Sequence, residues 1–217
     1  MRRRYHGVVT KIEVGKRNKN RVNVYLDDEF SFACSAEIVY RFNIKTGENI
    51  NLQNLEEIVE EDNYIKCKSD SLRFLGKTYK TQKQIYDKLL GKGYDTKTID
   101  RVINFLKEYN FIDDEKYAQM YIKEKIIKEG VNKIKFSLIS KGIKEEIINE
   151  KINEVDSECQ EEAILKLAEK KYNQLMKTEN DKRIIYKKIG DYLFRKGYSW
   201  DIIKVALNQT LKMDFYD

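Results

Sequence analysis

The sequence predicts a mainly α-helical fold, a tandem array of three three-helix modules, preceded by a small N-terminal region built on a β-hairpin or three strands. Three observations predict it. One helical pattern recurs around Gly93, Gly142 and Gly197: an isoleucine stands eight residues before each glycine (Ile85, Ile134, Ile189), a leucine four before (Leu89, Leu138, Leu193) and a lysine immediately before (Lys92, Lys141, Lys196). The agreement continues past the glycine, with Ile99, Ile148 and Ile203 six residues on and Ile103, Ile152 and Leu207 ten residues on. Repeats of this length mark an array of small supersecondary units. The 217 residues contain no proline, so nothing interrupts long helices. Only the first 50 to 60 residues alternate apolar and polar positions with the period of a strand.

Taken in order, residues 8–14 and 21–26 are the arms of a hairpin, rich in Val and Ile, around the turn composition Lys16-Arg17-Asn18-Lys19-Asn20. Asp27-Asp28 turns the chain into a third strand, Glu29 to Ala33. Ser35 then caps a short helix that Lys45-Thr46-Gly47 ends, and Asn54-Leu55-Glu56-Glu57 opens a longer helix with capping-box spacing. Thr81-Gln82-Lys83-Gln84 is another capping box, and the helix it starts runs to Lys92. Gly93 then closes that helix in the left-handed conformation. Ile99, Val102, Ile103 and Leu106 form the apolar stripe of a helix over residues 96–109. The second module starts at Asp113, places Tyr117, Ala118, Tyr121 and Ile122 on one stripe, stops its first helix at Gly130 and repeats the helix–glycine–helix pattern to Val155. Ser157 caps a longer helix reaching about Lys177, which accounts for a spacing of 55 residues between Gly142 and Gly197 against 49 between Gly93 and Gly142. The expected divisions are 1–55, 56–112, 113–156 and 157–217.

Bulk properties narrow the chemistry. A hydrophobic content of 41%, with no apolar run of membrane-spanning length and no signal-like segment after Arg2-Arg3-Arg4, predicts a soluble, cytoplasmic protein. Cys34, Cys67 and Cys159 lack metal or redox spacing and read as core residues, and His6 is the one histidine. Triad and zinc chemistry are therefore not expected, nor any cofactor. The net charge of +6 is distributed as +1, +4, −1 and +2 over residues 1–60, 61–112, 113–157 and 158–217, so no segment is a basic block. Such a chain permits weak, non-specific contact with phosphates.

Gly76-Lys77-Thr78 ends like a phosphate-binding loop, but Ser71 stands where its first glycine belongs and the preceding residues read as helix. Gly91-Lys92-Gly93 lacks the third glycine of a dinucleotide fingerprint. Both read as helix punctuation. Asp113 and Asp114 lie at a helix start and read as caps. Lys133, Ser137, Ser140 and Lys141 share one helical face opposite most apolar side chains, and Tyr121, Lys125 and Lys128 align on the preceding helix. These six Lys and Ser residues, Lys125, Lys128, Lys133, Ser137, Ser140 and Lys141, are the candidate contact residues. A solvated face is equally compatible with the pattern, since Glu124 and Lys128 are spaced for an i,i+4 ion pair. Helix, glycine and helix also describe a helix-turn-helix DNA reader, the alternative function. The three reading helices would begin Asp95-Thr96-Lys97, Lys144-Glu145-Glu146 and Ser199-Trp200-Asp201, and the middle one would present carboxylates to phosphates.

The run Phe111-Ile112-Asp113-Asp114-Glu115-Lys116-Tyr117-Ala118, followed by Gly130, Ile134, Leu138 and Lys141-Gly142-Ile143, resembles the most characteristic stretch of the RecX family, bacterial regulators of the RecA recombinase. Asn23-Val24-Tyr25-Leu26-Asp27-Asp28-Glu29-Phe30 is similar to the N-terminal extension of some members. The resemblance implies a non-enzymatic, monomeric protein of three tandem modules over about residues 61–212. Such a protein lies in the groove of the RecA–DNA filament and modulates its assembly, ATP hydrolysis and strand exchange. Two positions depart from the family pattern: Val131 stands where proline is frequent, and Lys125 where arginine is common. A lysine there keeps a charge without a planar two-donor fork.

Overall fold

The computed structural model describes residues 7–16, 18–76 and 78–211, so His6, Arg17 and Lys77 lie outside the described residues. The chain divides into two compact units. The first runs to Thr78 and resumes over Ile85–Phe111; the second takes Tyr79–Gln84 and everything from Ile112.

The first unit opens with strands β1 (Gly7–Val14), β2 (Arg21–Leu26) and β3 (Glu29–Ser35), then helix α1 (Ala36–Arg41) and the two-residue strand β4 (Asn49–Ile50). All pair antiparallel in the order β3-β2-β1-β4. Asp27 and Asp28 both have positive φ, 47° and 65°, which is the backbone of a two-residue hairpin turn matching the strands' twist. Val22, Val24 and Leu26 alternate inward, and Val24 and Leu26 share a core with Ile38 of α1 and with Leu55 and Ile58 of helix α2 (Leu52–Leu75). Ser35 caps α1, accepting from the Ile38 N–H at 3.3 Å as its position predicts. The cap of α2 is Asn51, which accepts from the Asn54 N–H at 2.8 Å, one turn earlier than the expected start at Asn54.

α2 serves two cores. Leu55 and Ile58 pack under the sheet, whereas Cys67 and Ser71 are buried farther along. Ile58 and Cys67 are nine residues apart, which at about 100° per residue puts them on opposite sides of the helix. Between the two cores lie adjacent buried carboxylates. Asp62 accepts from both the Arg21 guanidinium (2.8 and 2.9 Å) and the Ser35 N–H (2.8 Å), and its other neighbour is the Lys66 ammonium at 2.7 Å. Glu61 accepts from Arg41 and, at 2.6 and 3.2 Å, from Arg101 on helix α4 (Thr96–Glu108).

Burial pushes the Glu61 carboxyl up, but Arg101 and Arg41 outweigh it and hold it below its usual value near 4.5. A carboxyl depressed in this way stabilises the fold fully above its unfolded pKa and loses that contribution as the pH falls through the lower folded value. The melting-temperature advantage of the wild type over Glu61→Gln is therefore expected to be constant near neutral pH and to shrink below about pH 4.5. An advantage independent of pH down to the acid unfolding transition would contradict the ion pairs.

Helix α3 (Gln82–Leu90) starts with the predicted capping box: the Gln84 N–H donates to the Thr81 hydroxyl at 3.2 Å, and the Thr81 N–H donates to the Gln84 side chain at 3.1 Å. In the second unit follow α5 (Asp114–Lys125), α6 (Val131–Ser140), α7 (Glu145–Asn153), α8 (Ser157–Leu175), α9 (Lys182–Arg195) and α10 (Trp200–Leu211). The apolar positions of the repeat are the cores of the modules: Ile134, Leu138, Ile148 and Ile152 in the middle one, Ile189, Leu193, Ile203 and Leu207 in the last. Gly93, Gly142 and Gly197 all have φ between 83° and 93°. α8 is the longest helix of the second unit, as the wider spacing requires, and its N-cap is Asp156, one residue before the expected Ser157; the Asp156 side chain accepts from the Glu158 N–H at 3.0 Å. Among the described residues no helix is long and apolar enough to cross a membrane.

Candidate functional site

The second unit contains one joint twice. Thr81 and Gly130 stand at equal distances before Gly93 and Gly142, and each donates to the carbonyl of the lysine that precedes the next glycine. The Thr81 hydroxyl reaches Lys141 O at 2.7 Å, and the Gly130 N–H reaches Lys196 O at 2.9 Å. Backbones close up there. A Cβ on Gly142 would fall 2.4 Å from Lys83 Cβ, one on Gly197 would fall 2.6 Å from the Lys133 nitrogen, and one on Gly130 would fall 2.4 Å from Gly197 backbone. Gly93 has nothing within 4 Å and is needed for its φ alone. The helix-start carboxylates belong to this construction. Asp113 caps α5 through the Lys116 N–H (2.9 Å), whereas Asp114 accepts from the Gln82 N–H (2.9 Å) at the start of α3.

These joints sort the candidate contact residues. Tyr121 of α5 carries the Lys125 and Lys141 ammoniums, each 5.7 Å from its ring centre, and lies beside Tyr117, whose ring is 6.2 Å away and nearly parallel. Lys125 and Lys141, distant in sequence, are thus brought together. A pocket of about 450 Å³ opens beside them, lined by Tyr79, Tyr117, Met120, Tyr121, Lys123 and Glu124. Lys133 is placed elsewhere, with its backbone against Gly197 and its ammonium on Glu129 at 3.1 Å. The Ser140 hydroxyl donates to the Ser137 carbonyl at 2.8 Å, within its own helix. Glu124 pairs with Lys125 at 2.8 Å and not with Lys128 as the spacing suggested. α5 ends at Lys125, before Gly130, and Lys128 sits in the following turn, where its N–H bonds Lys125 O. The hydrogen bond from Lys125 holds the Glu124 carboxyl below its usual range.

Several surface features escaped the periodicity of the sequence. Phe136, 75% exposed, lies one turn before Ser140 on the lysine and serine face of α6. Leu90, Ile139 and Phe194 are all exposed and all stand three residues before the repeat glycine, so each module shows an apolar side chain at the same place. The alignment held the signal for that position. In the first unit, a groove of about 940 Å³ has the Arg101 guanidinium 3.7 Å from the Tyr64 ring and the Lys68 ammonium 3.8 Å from the Phe105 ring, but Glu61 already neutralises Arg101.

Cys34 and Cys67 are both buried. Burial pushes the Cys34 thiol up to about 11 and the Cys67 thiol up to about 12, so neither is a thiolate near neutral pH. Among the described residues no group of three or more His, Cys, Asp or Glu is placed to hold a metal ion.

Residues 7–51 match the family model of the regulatory protein RecX N-terminal domain, and residues 67–106, 113–152 and 158–207 match those of the first, second and third RecX three-helix domains. The regulatory protein RecX of Clostridium tetani is 53% identical, with 95% of each chain covered, and that of Clostridium perfringens strain SM101 is 51% identical over 97% of this chain and all of the relative. A crystal structure of regulatory protein RecX superposes with a TM-score of 0.73 at 26% identity, covering 92% of this chain and 98% of that one. RecX from Lactobacillus salivarius does so at 0.64 and 28%, covering 70% and 99%. The chain belongs to the RecX family of regulatory proteins.

Proposed function

We propose that this protein is a non-enzymatic regulator that binds the RecA–DNA filament as a cytoplasmic monomer and inhibits RecA by altering filament assembly, ATP hydrolysis and strand exchange. The observation that carries this reading is the recurrence of one exposed apolar position, Leu90, Ile139 and Phe194, at the same place in three linked modules. A partner made of identical subunits offers the same pocket repeatedly. Modules joined in one chain then gain by effective concentration even when each contact is weak. Family membership supports the same partner. The contact surface of the middle module is centred on Lys125 and Lys141, with Lys128, Ser137 and Ser140 around it, and Lys133 contributes chiefly to the joint.

The test is inhibition of RecA ATPase and strand exchange. Reversal of both charges in Lys125→Glu/Lys141→Glu is expected to raise the half-inhibitory concentration about tenfold or more, as like charges across an interface do. Helical content should not change, because exposed charges contribute little to folding. Lys16→Glu/Lys19→Glu, in the β1–β2 turn, should inhibit as the wild type does. Inhibition retained in the first variant and lost in the second would move the contact to the N-terminal sheet. A tight, sequence-specific footprint on duplex DNA would favour a helix-turn-helix regulator instead.

A further inference from the structure

The sheet β3-β2-β1-β4 has two edges, and an edge strand offers its outward N–H and C=O groups to any strand that can lie beside it. Proteins blunt such edges by shortness, charged side chains, proline or bulges. On one side that is done twice: β4 is two residues long, and β1 beside it carries the Lys11–Glu13 ion pair at 2.7 Å. The other side has less. β3 reads Glu29-Phe30-Ser31-Phe32-Ala33-Cys34-Ser35, with a bulge at Ser31, and after Glu29 it has no charge, no glycine and no proline. Six residues of that composition carry the signature of a segment that pairs with identical copies of itself.

What this strand lacks, its neighbours supply. The Arg21 guanidinium, from β2, donates to the Ala33 carbonyl, and the Asp62 carboxylate, from α2, accepts from the Ser35 N–H at 2.8 Å. Ala33 and Ser35 stand two apart in the strand, so their backbone polar groups face the same way, outwards from β2. The two side chains also bind each other, at 2.8 and 2.9 Å, and Lys66 pairs with Asp62 at 2.7 Å. A donor for Ala33 and an acceptor for Ser35 are what an adjacent strand would bring, and the Arg21–Asp62 pair stands in its place. We propose that Arg21, held by Asp62, guards the outer edge of the sheet, and that without this guard the edge pairs with β3 of a second copy of the chain. A second copy is the occupant because two such strands oppose no like charges along their uncharged stretch, and the exposed Phe30 can meet an aromatic side chain across the pair. This goes beyond the filament-binding reading and does not depend on it.

The experiment is sedimentation velocity of the full chain in reductant over a concentration series, with neither RecA nor DNA present. Arg21→Met, which keeps most of the stem and loses the donors, is expected to raise the weight-average mass about twofold or more over that of the wild type at the same concentration. Adding Ala33→Pro should restore the wild-type mass. The Ala33 N–H points outwards with its carbonyl, so proline removes no bond to β2 while it bars an incoming strand. Phe30→Lys, at an exposed position, should restore it by charge, and it decides the matter where the proline variant does not fold. Glu61→Gln weakens ion pairs of the same unit away from the edge and should sediment as the wild type. An unchanged mass in Arg21→Met would overturn the proposal. So would association that Phe30→Lys and Ala33→Pro both leave intact, or association of equal strength in Glu61→Gln, which would assign it to general loosening of the unit.

Discussion

Gly197→Val is expected to destabilise the second unit by about 3 kcal/mol or more, Gly142→Val by about 2–3 and Gly93→Val in the first unit by about 1–2. All three glycines have the same left-handed backbone, so the common part of the loss is the conformational penalty of a β-branched residue there. The remainder follows the neighbours. At Gly197 the added carbon meets the Lys133 backbone, which cannot retreat without unseating α6. At Gly142 it meets the stem of Lys83, a side chain that yields in part, and at Gly93 it meets nothing. Ser140→Ala, which removes one exposed bond to a carbonyl already in a helix, should cost under about 0.5 kcal/mol. Denaturant melts of the four variants decide the order. Equal losses at the three glycines would mean that the joints contribute no packing.

The second large effect is expected at Asp62, where Asp62→Ala should cost about 3 kcal/mol. Truncation strips Arg21, the Ser35 N–H and Lys66 of one shared acceptor. Breaking a buried pair by deleting one member costs about 3–5 kcal/mol, and the Arg21 side chain, 25% exposed, puts this case at the lower end. Asp62→Asn keeps an acceptor for Ser35 and should lose less. Because Asp62 sits where α2 meets β2 and β3, hydrogen exchange should show the sheet loosening before the second unit does. A loss below about 1 kcal/mol in Asp62→Ala would mean that water replaces the carboxylate freely.

What could be seen in advance was whatever is local or periodic. Ile134 and Leu138 announce their burial by spacing, Thr81 and Gln84 bond each other within one turn, and the glycines reveal their φ through the helices they end. Features that depend on distant partners were hidden. Asp114 caps a helix that starts 32 residues earlier in the chain. Lys133 looked like an open-face residue because Gly197, which presses on its backbone, lies outside any local window. The start of α2 was misplaced by one turn because Asn51 and Asn54 are both acceptable caps. Periodicity places Lys125 and Lys141 on successive helices, and only the packing of α5 against α6 brings them to one tyrosine ring.

The two-sided burial along α2 also sets a rule for how its sequence can change over time. One residue inserted between Ile58 and Cys67 would advance the far half by about 1.5 Å and turn it by about 100°, so that whichever core stayed in place, the other would face solvent. Deleting one residue does the same in reverse. An insertion of seven residues returns the rotation to within about 20°, but lengthens the helix by about 10 Å and takes Glu61 away from either Arg41 or Arg101, depending on which side of it the insertion falls. Point substitutions between the two cores can accumulate, whereas changes of length cannot, and this stretch of the helix should keep its residue count wherever the sheet precedes the modules.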